Sequence, residues 1–546
     1  MTVADDGRGR LVPVAVAVLI VGAIIGLPVA RLVGVAIEDG PATLASALGG
    51  PLASRAIVNS LWTAGLVALL AVAAGAAAAF VTERLATRGR ALLRAGMLVP
   101  LLVPPFVLAF GWTRAFGPRG LTDQLLGLEL PGLYGPLGVV LVVALAATPL
   151  AWLVIAAALA SRVEPELELA ARASGAGPWR TFATVTLPLV RPALFAAAVI
   201  TFVFGLNAFG VPAILGSPAG FSTITTRLYQ DLAFSASPAT FARATALAAT
   251  LAVVAVVAVG AGEALLGRSS GRRTGATTVS PTAGGSGLAG VVLGTGIVVA
   301  AVVPILAVVL TALTRAVGLP PVPANWTLDN FGLAVADGRF IGALGRSLLL
   351  ATVAATLVLL LGTLLVAGLR GRLARLGGTA LTLGFAVPGS ALAVAVLIAY
   401  GGLLRDTLLI ILIAYLAKFA ALGHRQLSGS MDRLPADLLR AARASGAGPL
   451  TTVRTVAVPI LRPAIAAAWI VVFVFGLHEL TMSTLLYGPG TSTLAVHVLN
   501  VQQLGDPTVT AALSILLTML VGAASIPLFL LGRAPRASAA GAGMAG

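Results

Sequence analysis

AARASGAGP occurs at Ala170–Pro178 and again, residue for residue, at Ala441–Pro449. The register persists beyond the identity. Pro188, Arg191 and Pro192 fall at the spacing of Pro459, Arg462 and Pro463, and both copies run into FVFGL, at Phe202–Leu206 and Phe473–Leu477. The chain is a tandem duplication. Each copy reads as a short polar helical piece (Glu166–Ala173; Asp437–Ala444), a glycine break, a second turn opened by proline, and a further proline before a long apolar run. A polar helix–turn–helix slung between apolar segments is a handle on the outside of a bundle.

Composition says what kind of bundle. Of 546 residues, 58% are hydrophobic and 10% charged, with a mean hydropathy of +1.03, so an all-α polytopic membrane protein is expected. The formal charge of +16 comes without a basic tract interleaved with aromatics, so the bilayer and not nucleic acid is the expected environment. With no cysteine, disulfides, thiolate metal sites and cysteine nucleophiles are excluded. Lys418 is the only lysine and no glycine-rich stretch precedes it, so a GxxxxGK[ST] phosphate loop is absent. No catalytic residue, metal site or cofactor is expected in this chain, and any ATP chemistry falls to another one.

At roughly 20 apolar residues per span, the first half reads as Leu11–Ala30, Ile57–Thr82, Leu92–Trp112, Gly135–Ala160, Pro192–Leu215 and Ala244–Leu266. The second reads as Leu288–Leu313, Ser347–Leu369, Ala380–Tyr400, Thr407–Gly423, Pro463–Leu486 and Val509–Leu531. About twelve helices result, in two parallel repeats of about six. The units are a first transmembrane domain over 1–266, a Gly/Ser/Thr/Arg-rich linker over 267–287 and a second transmembrane domain over 288–546. The first span is expected to be a retained anchor, being too long for a secretory signal. Arginines cluster on one side of all these spans, which predicts a cytoplasmic location for both termini, the linker and both handles.

Several residues within the spans are candidates for a translocation path. Pro104 and Pro388 recur at matching places and are expected to bend their helices, either as packing kinks or beside a path. Asn207 aligns with His478, each directly after FVFGL, and Glu479 is an ionisable residue inside a span. Glu479 reads equally as a path residue or as a structural one. The His478–Glu479 pair opens no HExxH motif, because Met482 occupies the fifth position. Lys418 is expected to snorkel toward the cytoplasmic surface.

The duplicated handle resembles the EAA loop of binding-protein-dependent ABC transporter permeases. The matching residues are Ala170, Ala171, Gly175 and Pro188 in one copy and Ala441, Ala442, Gly446 and Pro459 in the other. Leu169 and Arg440 stand where that motif has its glutamate, with Glu166, Glu168 and Asp437 nearby to supply polarity. The resemblance implies coupling helices that dock on two cytoplasmic ATP-binding subunits, an extracytoplasmic solute-binding protein, and a bacterial inner-membrane location. Asn207–Gly210, Pro212–Gly216, Thr225–Thr226, Tyr229, His478–Leu480 and Leu486–Thr491 resemble the fused double permeases of ferric iron type, while Asn59–Ser60–Leu61 is widespread in the superfamily and Arg346 takes the asparagine's place in the second half. Ferric iron is the implied solute, with thiamine, phosphonate and polyamine as alternatives. An ion-coupled secondary transporter of major facilitator type is the alternative function, since that architecture also has two parallel repeats of about six helices.

Overall fold

The computed structural model describes residues 8–533 apart from 39, 86, 88, 164, 236, 268–286, 369–370, 432–433 and 435. The linker expected over 267–287 therefore lies outside the described residues except at its two ends. In the first half the elements are α1 (Ala15–Glu38), α2 (Pro51–Glu83), α3 (Arg90–Leu102), α4 (Pro105–Phe116), α5 (Pro136–Arg162) and α6 (Pro165–Ala173). They continue as α7 (Pro178–Asn207), α8 (Ile224–Ala233) and α9 (Pro238–Gly267). The second half repeats the order with α10 (Gly287–Leu313), α11 (Gly338–Gly368), α12 (Gly371–Ala386), α13 (Gly389–Leu404), α14 (Leu408–Met431) and α15 (Ala436–Ala444). It ends with α16 (Val453–Leu477), α17 (Thr481–Leu486), α18 (Leu494–Gln503) and α19 (Pro507–Arg533). Among the described residues ten helices are long and apolar enough to cross a membrane, or up to twelve if each of two bent pairs is one span. The fold is all-α and polytopic.

Proline governs the course of these helices in two different ways. Five π-turns occur among the described residues, at Gly22–Gly26, Phe182–Thr186, Pro212–Gly216, Val298–Val302 and Val453–Ala457. Two positions after each stands a proline: Pro28, Pro188, Pro218, Pro304 and Pro459. Proline lacks an N–H, and its ring collides with the carbonyl four residues back. Opening the preceding turn by one residue moves that carbonyl aside and lets the helix continue. The fifth and eleventh spans thus begin at the handle, not at Pro192 and Pro463 as expected, because Pro188 and Pro459 widen the helix without stopping it. At Pro104 and Pro388 the outcome is a break. Pro104 (φ −54°, ψ 135°) and Pro388 (φ −56°, ψ 143°) are both extended, and the helix pairs bend by 104° and 106°. The expected kinks are sharp corners.

The halves interlock through their first helices. Helix α1 packs on α11 and α13 of the second half, and α10 packs on α3 and α4 of the first. Each crossing carries a hydrogen bond from an aromatic donor to a carbonyl of a π-turn: Tyr400 Oη to Ala23 O at 2.7 Å, and Trp112 Nε1 to Ala300 O at 3.1 Å. These carbonyls lie five and four residues before Pro28 and Pro304, so proline has removed their usual donors and the opposite half supplies new ones.

Within each half the shared FVFGL glycine lies at a close helix crossing. A Cβ on Gly205 would sit 3.0 Å from Ala64 Cα, and one on Gly476 would sit 3.2 Å from Ala351 Cα. Small residues at such crossings let backbones approach where lipid gives no hydrophobic drive between helices.

Candidate translocation path and coupling sites

Two short helices, α8 and α18, follow the ends of α7 and α16 and lie at the end of the molecule away from the handles. Their N-termini are held in the same way. Ser60 Oγ accepts the Ile224 N–H at 2.7 Å, and Ser347 Oγ accepts the Leu494 N–H at 2.8 Å. Beside them Asn59 Nδ2 donates to Ser222 O at 2.9 Å, and Arg346 Nε donates to Ser492 O at 2.8 Å. The arginine that departs from the asparagine pattern performs the same task with a longer arm.

The broken span of the second half is clamped at its corner. Lys418 Nζ donates to Phe385 O at 2.8 Å and Val387 O at 2.7 Å, carbonyls that the end of α12 leaves without intrahelical donors. Lys418 does not snorkel. The freed carbonyls accept from it and suit an ammonium at a helix C-terminus. On the other side of the corner the first N–H of α13, Gly389 N, donates to Asn207 Oδ1 at 2.9 Å, across the boundary between the halves. Asn207 Nδ2 in turn donates to Val203 O at 2.8 Å. Two of the candidate path positions, Asn207 and the Pro388 corner, are thus brought together, with Pro388 itself buried.

The mirror arrangement is absent by sequence. His478 occupies the position of Asn207, and Pro105 follows Pro104 where Gly389 follows Pro388, so there is no N–H for His478 to receive. The His478 ring lies against Phe475, with centroids 5.7 Å apart. Glu479 caps α17, accepting Met482 N at 2.9 Å, Ser483 N at 3.0 Å and Ser483 Oγ at 3.1 Å, and Ser483 Oγ lies 2.8 Å from Tyr415 Oη. In the first half Ala144, Ala147, Ala208 and Pro212 take the places of Tyr415, Lys418, Glu479 and Ser483. The polar cluster beside the corner belongs to one half alone.

Beyond this corner, at the end away from the handles, lies a cavity of about 1650 Å³. It is lined by Asp231–Ser235, Ser237, Pro238 and Phe241 of the first half and, from the second, by charged residues including Arg339, Arg346, Arg405 and Asp406. Arg405–Thr407 alone joins α13 to α14 beside it, whereas the matching first-half connection runs over Gly117–Gly135 with a short helix at Leu121–Leu126. Asp231 on the wall is fully buried and paired with Arg227 at 2.5 Å and Arg243 at 2.6 Å. His497 Nε2 stands 3.8 Å from Asp337 Oδ2, and burial lowers its pKa against the pull of Asp337.

At the opposite end the motif residues of the handles form helix C-termini. Gly175 (φ +83°) and Gly446 (φ +78°) take the left-handed conformation that glycine alone adopts without cost. Ala170 and Ala171 accept from Ser174 N and Ala176 N, each at 3.0 Å, and Ala441 and Ala442 accept from Ser445 N at 3.0 Å and Ala447 N at 3.1 Å. Ala170 and Ala441 are exposed, as are Leu167, Leu169 and Trp179 on the first handle and Leu438 on the second. Pro188 and Pro459 are not on the handles but two residues past the π-turns at the base of α7 and α16. Glu168 also departs from expectation: it is buried and faces inward, so of the nearby acids only Glu166 and Asp437 are exposed.

The model of the family described as binding-protein-dependent transport system inner membrane component matches residues 71–266 and again 360–534. A ferric transport system permease protein, FbpB, of Actinobacillus pleuropneumoniae is 26% identical over 493 residues, covering 86% of this chain and 70% of its own. An Fe(3+)-transport system permease protein, FbpB 2, of Haemophilus influenzae is 25% identical over 534 residues, covering 94% and 96%. The molybdenum transport system permease protein ModB of Escherichia coli is 30% identical over 207 residues, covering 37% of this chain and 90% of ModB. With the family domain present twice, the chain belongs to the binding-protein-dependent transport system inner membrane components and is a fused double permease of the ABC importer type.

Proposed function

We propose that this chain carries ferric iron inward across the bacterial inner membrane by alternating access between its two halves. The likeness to two ferric permeases over most of its length carries the choice of cargo. On this reading Ala170, Ala171 and Gly175, with Ala441, Ala442 and Gly446, present docking helices to two cytoplasmic ATP-binding subunits, and Pro188 and Pro459 join those helices to the spans. A solute-binding protein delivers cargo to the cavity at the other end, and both termini lie in the cytoplasm. The path runs past the Asn207–Pro388 corner, with His478 and Glu479 on its second-half side and Pro104 at the matching corner of the first. The chain itself breaks no bond, and hydrolysis elsewhere drives the halves apart through a rigid-body movement of the handles.

The test is uptake by proteoliposomes holding the chain with its ATP-binding and solute-binding partners. ATP-dependent accumulation of radiolabelled ferric citrate is expected, with none of molybdate. Molybdate accumulation in its place overturns the cargo, and accumulation on a proton gradient without ATP overturns the mode of transport.

A further inference from the structure

The two handles are mounted differently. On α6, Glu168 is 6% exposed; its Oε1 accepts the Thr186 hydroxyl at 2.6 Å, and its Oε2 faces Arg84 Nη1 at 3.4 Å. Arg84, 3% exposed, caps the end of α2 and reaches the Val163 carbonyl past the end of α5 at 3.5 Å. One carboxylate therefore ties the handle to the base of α7 and to the end of α2, and its partner adds the end of α5. Next to it Trp152 Nε1 donates to Thr82 Oγ1 at 3.0 Å, bracing α5 against α2. A buried carboxylate paired on both oxygens resists displacement, since moving it strands its partner's charge away from water.

None of these groups recurs at the matching sequence positions of the second half. The register that pairs Asn59 with Arg346 and Ser60 with Ser347 puts Gly371 opposite Arg84, and the handle register puts Leu439 opposite Glu168 and Ala457 opposite Thr186. The acid that α15 does carry, Asp437, is exposed and pairs at 2.5 Å with Arg440 of its own helix.

We infer that Glu168 is a positioning residue that fixes the first handle rigidly to the ends of α2, α5 and α7, so that the importer has one stiff and one compliant coupling helix. The inference rests on the reading of the handles as docking helices. In its consequence, a stroke at the first handle moves its half as one body, whereas the second handle yields before its half follows.

Because the chain has no cysteine, paired spin labels can be placed freely. Ser174→Cys and Ser445→Cys are each combined with Leu265→Cys, at the same end of the molecule, in the full chain in nanodiscs. The first pair is expected to give a narrow distance distribution and the second a broad one. Glu168→Gln, or the milder Thr186→Val, should broaden the first toward the second and leave the second unchanged, and Glu168→Asp should restore part of the sharpness. Equal widths in the parent chain, or no broadening in either variant, overturn the inference. Co-purification of the ATP-binding subunits, scored in parallel, tests the docking reading separately: its loss in the parent chain would end that reading without touching the stiffness result. With docking intact, cargo moved per ATP should fall several-fold in Glu168→Gln while ATP hydrolysis persists.

Discussion

Asn207 Oδ1 accepts the backbone N–H of Gly389 at 2.9 Å, so the amide that follows FVFGL in one half caps a helix that begins in the other. The cap exists once, because Pro105 has no N–H to offer His478. Removing it with Asn207→Leu leaves a helix N-terminus without its acceptor, a loss of about 1–2 kcal/mol. Thermal unfolding in detergent should fall accordingly, while His478→Leu, which has no such partner to strand, should cost less. Equal losses from the two variants would count against the one-sided clamp.

Asn59 and Arg346 do one job with different side chains, each donating to the carbonyl just ahead of a short helix. Arg346→Asn should therefore be nearly neutral if the shorter amide reaches Ser492, with a change within about 0.5 kcal/mol. Arg346→Ala should cost about 1–2 kcal/mol by stripping the carbonyl of its donor. The unfolding midpoints of the two variants decide it, and identical losses would show that the donor is not what matters.

What the sequence revealed and what it hid follow one physical division. The duplication, the long spans and the handles rest on local pattern, and they were legible from AARASGAGP outward. Proline was ambiguous, because Pro188 and Pro104 look alike in sequence, yet one is absorbed by a π-turn and the other breaks its helix. The difference lies in Pro105 and Gly389 beginning new helices directly afterwards. The short helices α8 and α18 are ten residues each, too short to register as spans. Glu168 and Lys418 were misread because polarity in sequence does not say which way a side chain faces; their partners, Thr186 and Phe385, come close only once the helices have packed.

His497 lies outside the spans, 6% exposed, facing Asp337, Arg339 and Arg346. Burial, and secondarily the two arginines, hold its pKa below the ordinary 6.5, against Asp337. A base depressed in the folded state contributes stability above its unfolded pKa and loses it as pH falls. Thermal stability should thus decline on going from about pH 7 to about pH 5. His497→Gln should flatten that decline while leaving the value at pH 8 little changed. A slope identical in the variant would assign the pH dependence to other groups.

Pro188 and Pro459 offer a test in which stability and transport move apart. Each imposes a π-turn between handle and span, at Phe182–Thr186 and Val453–Ala457. With alanine in its place the backbone N–H returns, and the turn can close to ordinary α spacing by resorbing one residue. That closure rotates the handle by about 100° relative to the span above it. Since alanine favours a helix interior over proline by up to about 3 kcal/mol, Pro188→Ala should unfold at a higher temperature than the parent. It should nevertheless transport less, because the docking face no longer meets its partner in register with α7. Pro527→Ala is the control: Pro527 sits inside α19 with no π-turn before it, so that variant should gain stability and keep its uptake rate. Uptake preserved in both Pro188→Ala and Pro459→Ala would mean that the π-turns merely accommodate proline and do not set the angle of the handles.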